Sequence, residues 1–428
     1  MAAYLNTKMP DEVKHRWMLL DRVVSARLME LEPEVYGKYL RKDERILVQM
    51  DKLIYGYKEA AHFWNLLYIK VFTDGGYSVH RKDKCVVFKQ DDTGNLLSIG
   101  ALTVDDGLFA STPNEVDKVI KMCIEALGEI TYEISDTIDV IGLHVELDRV
   151  NGAAKVQQKR FVSKLLADRG VSRKALTPAT AEFFDEPESP LLSNQHDFMS
   201  LNASLMYGAK RTYPEILTVV THLARKYGKA TELDMFKAQR VLYYFNNNLE
   251  EHCLYLRPLS FKVVASADAS YAEHEDAKSH TGGCVGFEGN NGNGSYFLFE
   301  SSKQSIVSKS STEAELVCAN TIAESGEYVR QFMGEINLDD GPVTMAQDNI
   351  STMRVSAQGT GTYKRSKHIK VRYYWLKELI DTGVLVLQYV PTKEMVADVL
   401  SKPVVGAQFY YLLRKLLGWV HMEPEGAK

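Results

Sequence analysis

Phe261-Lys262-Val263-Val264-Ala265-Ser266-Ala267-Asp268 is the stretch on which the fold turns. After Arg257-Pro258 the pattern switches to period two, and the stretch reads as a strand, apolar from Val263, that ends at a carboxylate. Downstream, 283–288 and 295–300 read as a hairpin turned by the glycine- and asparagine-rich 289–294. Ser311-Thr312-Glu313 opens a helix, 343–346 is a strand running into Asp348, a basic helix extends to about Ile380, and 384–390 is a further strand. Helices close the chain. Three strands, helix, strand, helix, strand, helix is an α/β layout that makes a domain by itself.

Upstream, strands and helices mix. Residues 86–88 and 98–104 read as strands around the turn Asp91-Asp92-Thr93-Gly94-Asn95. Val116, Val119, Ile120, Ile124 and Leu127 predict a helix over 114–127, and a strand pair follows at 140–147 and 155–157, turned by Asn151-Gly152. The stretch 177–197, rich in Pro, Asp, Glu and Ser, reads as a connecting loop, and 200–246 as helical. No self-similarity at a fixed period points to a solenoid or propeller.

At 428 residues the chain has room for two or three domains. Hydrophobic residues at 45% and charged residues at 25% are ordinary for a globular protein. With 56 acidic against 51 basic residues, the charge of −5 argues against a protein coated in Lys and Arg, though a local basic groove is compatible with it. The absence of any long apolar run excludes a membrane span, and the N-terminus lacks the apolar core of a secretory signal. Five scattered cysteines without a C-x-x-C pair fit a reducing compartment and no zinc site. The expectation is a soluble intracellular protein.

Several constellations can carry chemistry. Asp105-Asp106 sits at a tight turn between two strands, where adjacent acids serve as a cation site or as a plain solvated turn. Asp268, Glu315, Asp348 and Asp398 form a second set: two acids follow apolar strands, and two lie on helices. If they converge, four carboxylates hold two Mg²⁺ about 4 Å apart; singly, each is as easily a cap or a dipole partner. Glu313 competes with Glu315 and, two residues away, points to another face of the helix. Lys364, Arg365, Lys367, His368 and Arg372, interleaved with Tyr373, Tyr374 and Trp375, mix positive charge with aromatics as backbone-binding surfaces do. The plainer reading is an amphipathic helix with a solvated basic face. Tyr55, Gly56 and Lys58 precede a helix, where Gly56 permits close backbone approach to a nucleotide or template, and a helix start packed into a core is an equal reading.

Taken in order, these segments resemble the C-terminal half of a copia-type LTR-retrotransposon Pol polyprotein, a reverse transcriptase followed by ribonuclease H. LIYGYKEAAHFW, TVDDGL, IGLHV, VQQKRFVSKLL, SLMYGAKRTYPEI and FKAQRVLYYF resemble the polymerase and connection segments. ASADASYAEHEDAKSHTGGCVGF, SSKQSIVSKSSTEAEL, QDN, SKHIKVRYYWLKELI and YVPTKEMVADVLSKP resemble the nuclease in its order and spacing. The resemblance implies a mixed α+β chain: a partial reverse-transcriptase palm over 1–160, a thumb or connection over 161–258, a ribonuclease H-like domain with a five-stranded mixed sheet over 259–405, and a C-terminal helix and tail over 406–428.

It further implies Asp268, Glu315, Asp348 and Asp398 as metal-binding catalytic carboxylates. Glu315 is preferred over Glu313 by the family's helix pattern. Asp105 and Asp106 correspond to two polymerase acids, and Tyr55, Gly56 and Lys58 to a template- or nucleotide-proximal segment. Mg²⁺ or Mn²⁺, two ions in the nuclease site, is the expected cofactor. RNA–DNA hybrid and template-primer are the expected partners, without a membrane, and the expected setting is cytoplasmic, in a virus-like particle, or nuclear. His368 is read as positioning substrate or assisting proton transfer, with a buried structural role as the alternative.

The family's third polymerase acid lies on a strand upstream of Ala3. Leu102-Thr103 also stand where a bulkier aromatic residue is common. The expectation is therefore a Mg²⁺-dependent nuclease for the RNA strand of hybrids, joined to a polymerase inactive by truncation. The alternative is a non-catalytic remnant or hybrid-binding module.

Overall fold

Short apolar strands and amphipathic helices make up this chain, and its sheets and helices pack in layers around shared apolar cores. The computed structural model describes residues 8, 16–104, 106–339, 341–358 and 367–422. Two compact units result, Met1–Glu133 with Glu335–Asn337, and Ile134–Gly334 with Leu338–Lys428. Among the described residues no helix is long and apolar enough to cross a membrane.

In the first unit β1 (Ser78–Val79), β2 (Val86–Gln90), β3 (Leu96–Thr103) and β4 (Asp106–Ser111) form an antiparallel sheet in sequence order. The β2–β3 turn closes as its residues dictate. Asp91 accepts from the backbone N–H of Thr93 and of Asn95, both at 2.9 Å, while Gly94 takes φ +87°. Helices α1 (Ala60–Asp74) and α2 (Pro113–Leu127) bury Trp64, Tyr68, Phe72 and Val119 with Val87 and Leu102 of the sheet.

The second unit opens with β5 (Thr137–Val140), β6 (Leu143–Asp148) and β7 (Ala153–Gln157), which join β8 (Leu254–Leu256) in an antiparallel sheet of order β8-β7-β6-β5. The stretch read from sequence as one strand over 140–147 is thus two. Ile141 at φ +50° and Gly142 at φ +76° reverse the chain, so that Val140 pairs with Leu143. Helices α3 (Lys159–Asp168), α4 (Gln195–Ala209), α5 (Leu217–Ala224) and α6 (Glu232–Asn248) follow, α6 opened by a capping box between Thr231 and Asp234.

The largest sheet is mixed. β9 (Val263–Ser270), β10 (His280–Glu288) and β11 (Gly294–Lys303) are antiparallel neighbours, and β12 (Val343–Gln347) and β13 (Leu385–Tyr389) add in parallel, giving the order β11-β10-β9-β12-β13. This is the five-stranded mixed sheet of the expected ribonuclease H-like fold. Helix α7 (Ser311–Glu335) buries Leu316, Ile322 and Ala323. Of the segment read as a single basic helix, the described residues form α8 (Ile350–Gln358) and α9 (Lys367–Asp381), with 359–366 outside the described residues; α10 (Asp398–Ser401) and α11 (Gly406–Leu416) follow. One core runs from α4–α6 through the sheet to the C-terminal helices, with Leu205, Leu217, Val220, Phe245, Cys284, Tyr296, Leu400 and Phe409 in a single cluster.

Glycines set how closely α10 approaches β10. A Cβ on Gly282 would lie 2.5 Å from the backbone nitrogen of Ser401 and 2.6 Å from the carbonyl carbon of Leu400, both rigid main-chain atoms. Gly282→Ala is expected to push α10 off the sheet and cost about 1–3 kcal/mol, the range for overpacking a close contact. Urea denaturation reads this directly, and an unchanged midpoint would contradict the close packing.

Candidate active site

Parallel pairing brings two acids abreast. Val264 pairs with Thr344 and Ser266 with Ala346, so two residues further along each chain Asp268 and Asp348 stand at the same end of adjacent segments. Asp268 falls inside β9, opposite Gly282, rather than at its end, because pairing with β10 continues to Ser270. Asp348 follows the last residue of β12 and is half-buried. Glu315 comes from the first turns of α7 and is buried, as is Asp268. One carboxylate oxygen from each of Asp268, Glu315 and Asp348 lies within 4.8 Å of the others.

Neighbouring side chains hold these carboxylates in place. Ser401 donates its hydroxyl to Asp268 Oδ2, and Thr392 Oγ1 donates to Asp348 Oδ2 at 2.7 Å. Gln347 Oε1 accepts from the backbone N–H of Asp348 at 2.9 Å, and its Nε2 reaches Glu315 Oε2 at 3.5 Å. Glu313 points elsewhere: its Oε2 accepts from the backbone N–H of Lys309 at 2.7 Å, a helix-capping contact. The structure therefore separates the two glutamates, Glu315 in the cluster and Glu313 at the helix start.

Asp398 begins α10 and is buried, but it engages a cation of the chain itself. Lys402 Nζ lies 2.8 Å from Asp398 Oδ1 and 3.5 Å from Asp268 Oδ2, so it links the fourth acid to the triad. Sequence reasoning missed Lys402, although its signal was present in the spacing of an acid four residues before a lysine.

Crowding shows in the protonation of the site. Burial, then the charges of Asp268 and Asp348, push the Glu315 carboxyl up to about 9. Burial and Asp268 push Asp398 up to about 7 against the opposing pull of Lys402. Burial would lower Lys402, yet Asp268 and Asp398 outweigh it and raise its value. Oxygen donors that are close, buried and reluctant to ionise together are the donor set a hard divalent cation takes, so the residues present fit Mg²⁺ or Mn²⁺.

The remaining candidates are dispersed. Asp106 is exposed at the start of β4 in the first unit, and Asp105 lies outside the described residues. Tyr55, Gly56 and Lys58 are exposed just before α1, with Gly56 at φ +87°. Lys364 and Arg365 lie outside the described residues; Lys367 and His368 belong to α9, their side chains outside the description. Arg372 is half-buried on α9, its carbonyl accepting from Asn320 Nδ2 of α7 at 3.4 Å.

The pH dependence of stability follows with a definite sign. Without a divalent cation, Glu315 keeps a proton in the folded state up to about pH 9, whereas unfolded it loses it near 4.5. The folded state then binds more protons across that window, and stability falls as pH rises. His222, His274 and His280, pushed down mainly by burial, act with the opposite sign but below their ordinary value of 6.5. In chelator, Tm is therefore expected to fall between about pH 7 and pH 9, with Mg²⁺ recovering it and Glu315→Gln flattening the curve. A pH-independent Tm with no response to Mg²⁺ would contradict the crowding.

No family model matches the sequence. The chain is 23% identical over 412 residues to the retrovirus-related Pol polyprotein from transposon TNT 1-94 of Nicotiana tabacum, covering 91% of this chain and 30% of that one. It is 25% identical over 382 residues to that from transposon RE2 of Arabidopsis thaliana, covering 88% and 25%. The transposon Ty1-GR1 Gag-Pol polyprotein of Saccharomyces cerevisiae is 23% identical over 402 residues, covering 88% and 22%. Among solved structures, the foamy viral protease-reverse transcriptase in complex with RNA/DNA hybrid is 12% identical over 86% of this chain and 42% of that chain, at TM-score 0.44. LC11-RNase H1 is 18% identical over 33% of this chain and 92% of that chain, at TM-score 0.25. The chain thus spans between 22% and 30% of the length of these curated relatives, and its homologues are the Pol polyproteins of Ty1/copia-type retrotransposons.

Proposed function

We propose that the chain is a ribonuclease H that hydrolyses the RNA strand of RNA–DNA hybrids with Mg²⁺ or Mn²⁺. The observation that carries this reading is the convergence of Asp268, Glu315 and Asp348 within 4.8 Å on a five-stranded mixed sheet, in a chain whose homologues are Pol polyproteins. The nuclease domain is proposed over 259–405, with a connection over 161–258 and a palm-like region over 1–160.

Asp268, Glu315 and Asp348 would hold the cations, with Asp398 as a fourth ligand once Lys402 yields it. Divalent ions, when bound, supply an activated water and charge compensation at the leaving oxygen. The chain's own part is orientation. Thr392, Gln347 and Ser401 fix the carboxylates of Asp348, Glu315 and Asp268 by hydrogen bonds, the kind of outer support that sets ligand direction. Hydrolysis joins the water oxygen to phosphorus and breaks the bond to the 3′ oxygen, which leaves with a proton. Lys364, Arg365, Lys367, His368 and Arg372 are proposed to contact the hybrid backbone, read by shape and 2′-hydroxyls rather than base edges. A cytoplasmic or nuclear setting is proposed on the same relationship to retrotransposon proteins.

Cleavage of an end-labelled RNA–DNA hybrid in Mg²⁺, with single-stranded RNA as control, tests the proposal. Asp348→Asn should keep the fold and lose about a hundredfold or more in rate, since each factor of ten is about 1.4 kcal/mol of lost transition-state stabilisation. Unchanged cleavage by that variant would overturn the assignment.

A further inference from the structure

The short helix that carries Asp398 has a carbonyl on a buried residue that the helix itself cannot satisfy. In a continuing helix Val399 C=O would accept from the N–H of residue 403, but that residue is proline and has none. Val399 is buried, so water cannot substitute. Its partner comes from a helix distant in sequence: Thr218 Oγ1, near the start of α5, donates to Val399 O at 3.2 Å.

Thr218 is the last member of a chain of buried groups whose direction is fixed at its origin. Arg225, at the other end of α5, has only donors, so Nδ1 of His274 accepts from it. A neutral imidazole that accepts at one nitrogen donates from the other, and His274 Nε2 gives its hydrogen to His280 Nδ1 at 3.1 Å. By the same rule His280 Nε2 donates to Ser301 Oγ at 2.8 Å, and Ser301 donates to Thr218 Oγ1 at 3.4 Å. The imidazoles are neutral near neutral pH, burial first and then Arg225 pushing His274 down to about 4, and burial pushing His280 down to about 3. His274, His280, Ser301 and Thr218 are all buried. Each ring nitrogen in the path makes one bond, and each hydroxyl accepts one hydrogen and donates one, ending at the carbonyl that Pro403 leaves open.

We infer that α5 is a positioning element for the nuclease site: Thr218, aligned by Arg225, His274, His280 and Ser301, tethers the Asp398-bearing helix to the sheet. The tether itself rests on the geometry above, and its effect on turnover rests on the nuclease reading. Thr218 touches no reacting group; it acts through the backbone of α10, and through that on the placement of Asp398 and Lys402.

The test uses the full chain and three variants. Thr218→Val keeps the shape and deletes the hydroxyl, Thr218→Ser restores it, and Thr221→Val removes a hydroxyl on the same helix that bonds only to carbonyls of α5 itself. Hydrogen exchange is followed by mass spectrometry across 396–402, where Leu400 N–H bonds to Ala397 O and Lys402 N–H to Asp398 O. Thr218→Val should speed exchange there by roughly ten-fold or more, as expected when a buried acceptor loses its donor and the local opening becomes easier. Thr218→Ser should return it to the wild-type rate, and Thr221→Val should leave it unchanged. In hybrid cleavage, Thr218→Val should lower kcat with KM held. Exchange in 396–402 unaltered by Thr218→Val, or altered equally by Thr221→Val, would overturn the tether. Absence of cleavage by the wild-type chain, with the exchange pattern as expected, would remove the nuclease reading and leave the tether standing.

Discussion

Three carboxylates of little exposure within 4.8 Å of one another cannot all carry charge unless something positive joins them. This repulsion organises the end of the mixed sheet where the three acids meet. Burial first, and this repulsion after it, keep Glu315 protonated at neutral pH when no cation is present, and Lys402 sits against Asp268 and Asp398. A buried cluster of this kind is a poor stabiliser by itself, because desolvation opposes every charge placed there. Its persistence makes sense as a device for taking up a cation, with the ammonium of Lys402 as the positive charge the chain carries with it.

The fold does the work of forcing the acids together. Parallel pairing of β9 with β12 aligns Asp268 and Asp348, and the packing of α7 over the sheet brings Glu315 to them. Asp398 depends on a different set of contacts: the close seat of α10 against Gly282, permitted by a missing Cβ, and a core shared with α4–α6 and α11. The helices that precede the mixed sheet are therefore part of the same hydrophobic structure as the site, through Leu217, Val220 and Phe245 on one side and Leu400 and Phe409 on the other.

Much of this was legible in the residues, and the failures have physical causes. The strand ending in acid at 263–268 and the strand into Asp348 were visible because apolar runs that stop at a carboxylate are short-range signals. The position of Asp268 within β9 was not, since how far a ladder continues depends on its partner, here β10 out to His280. The hairpin at Ile141-Gly142 was hidden because Val140, Ile141, Leu143 and Val145 read as one apolar strand, and only a single glycine marks the reversal. The two glutamates of α7 differ by a helix face, which spacing can state but not orient; the local capping contact of Glu313 with Lys309 and the long-range contact of Glu315 with Gln347 decide it. The directed path from Arg225 to Val399 joins residues scattered from 218 to 399, and of it the sequence displays only Pro403.

The central claim is that Asp268, Glu315 and Asp348 form the cation site and that Glu313 does not. Titration calorimetry with Mn²⁺ on the wild-type chain and on Glu315→Gln and Glu313→Gln tests it most directly. The account predicts saturable binding in the wild type, weakened about tenfold or more in Glu315→Gln, as for loss of a carboxylate ligand, and retained in Glu313→Gln. Equal loss in both variants, or binding that survives in Glu315→Gln and vanishes in Glu313→Gln, would contradict it.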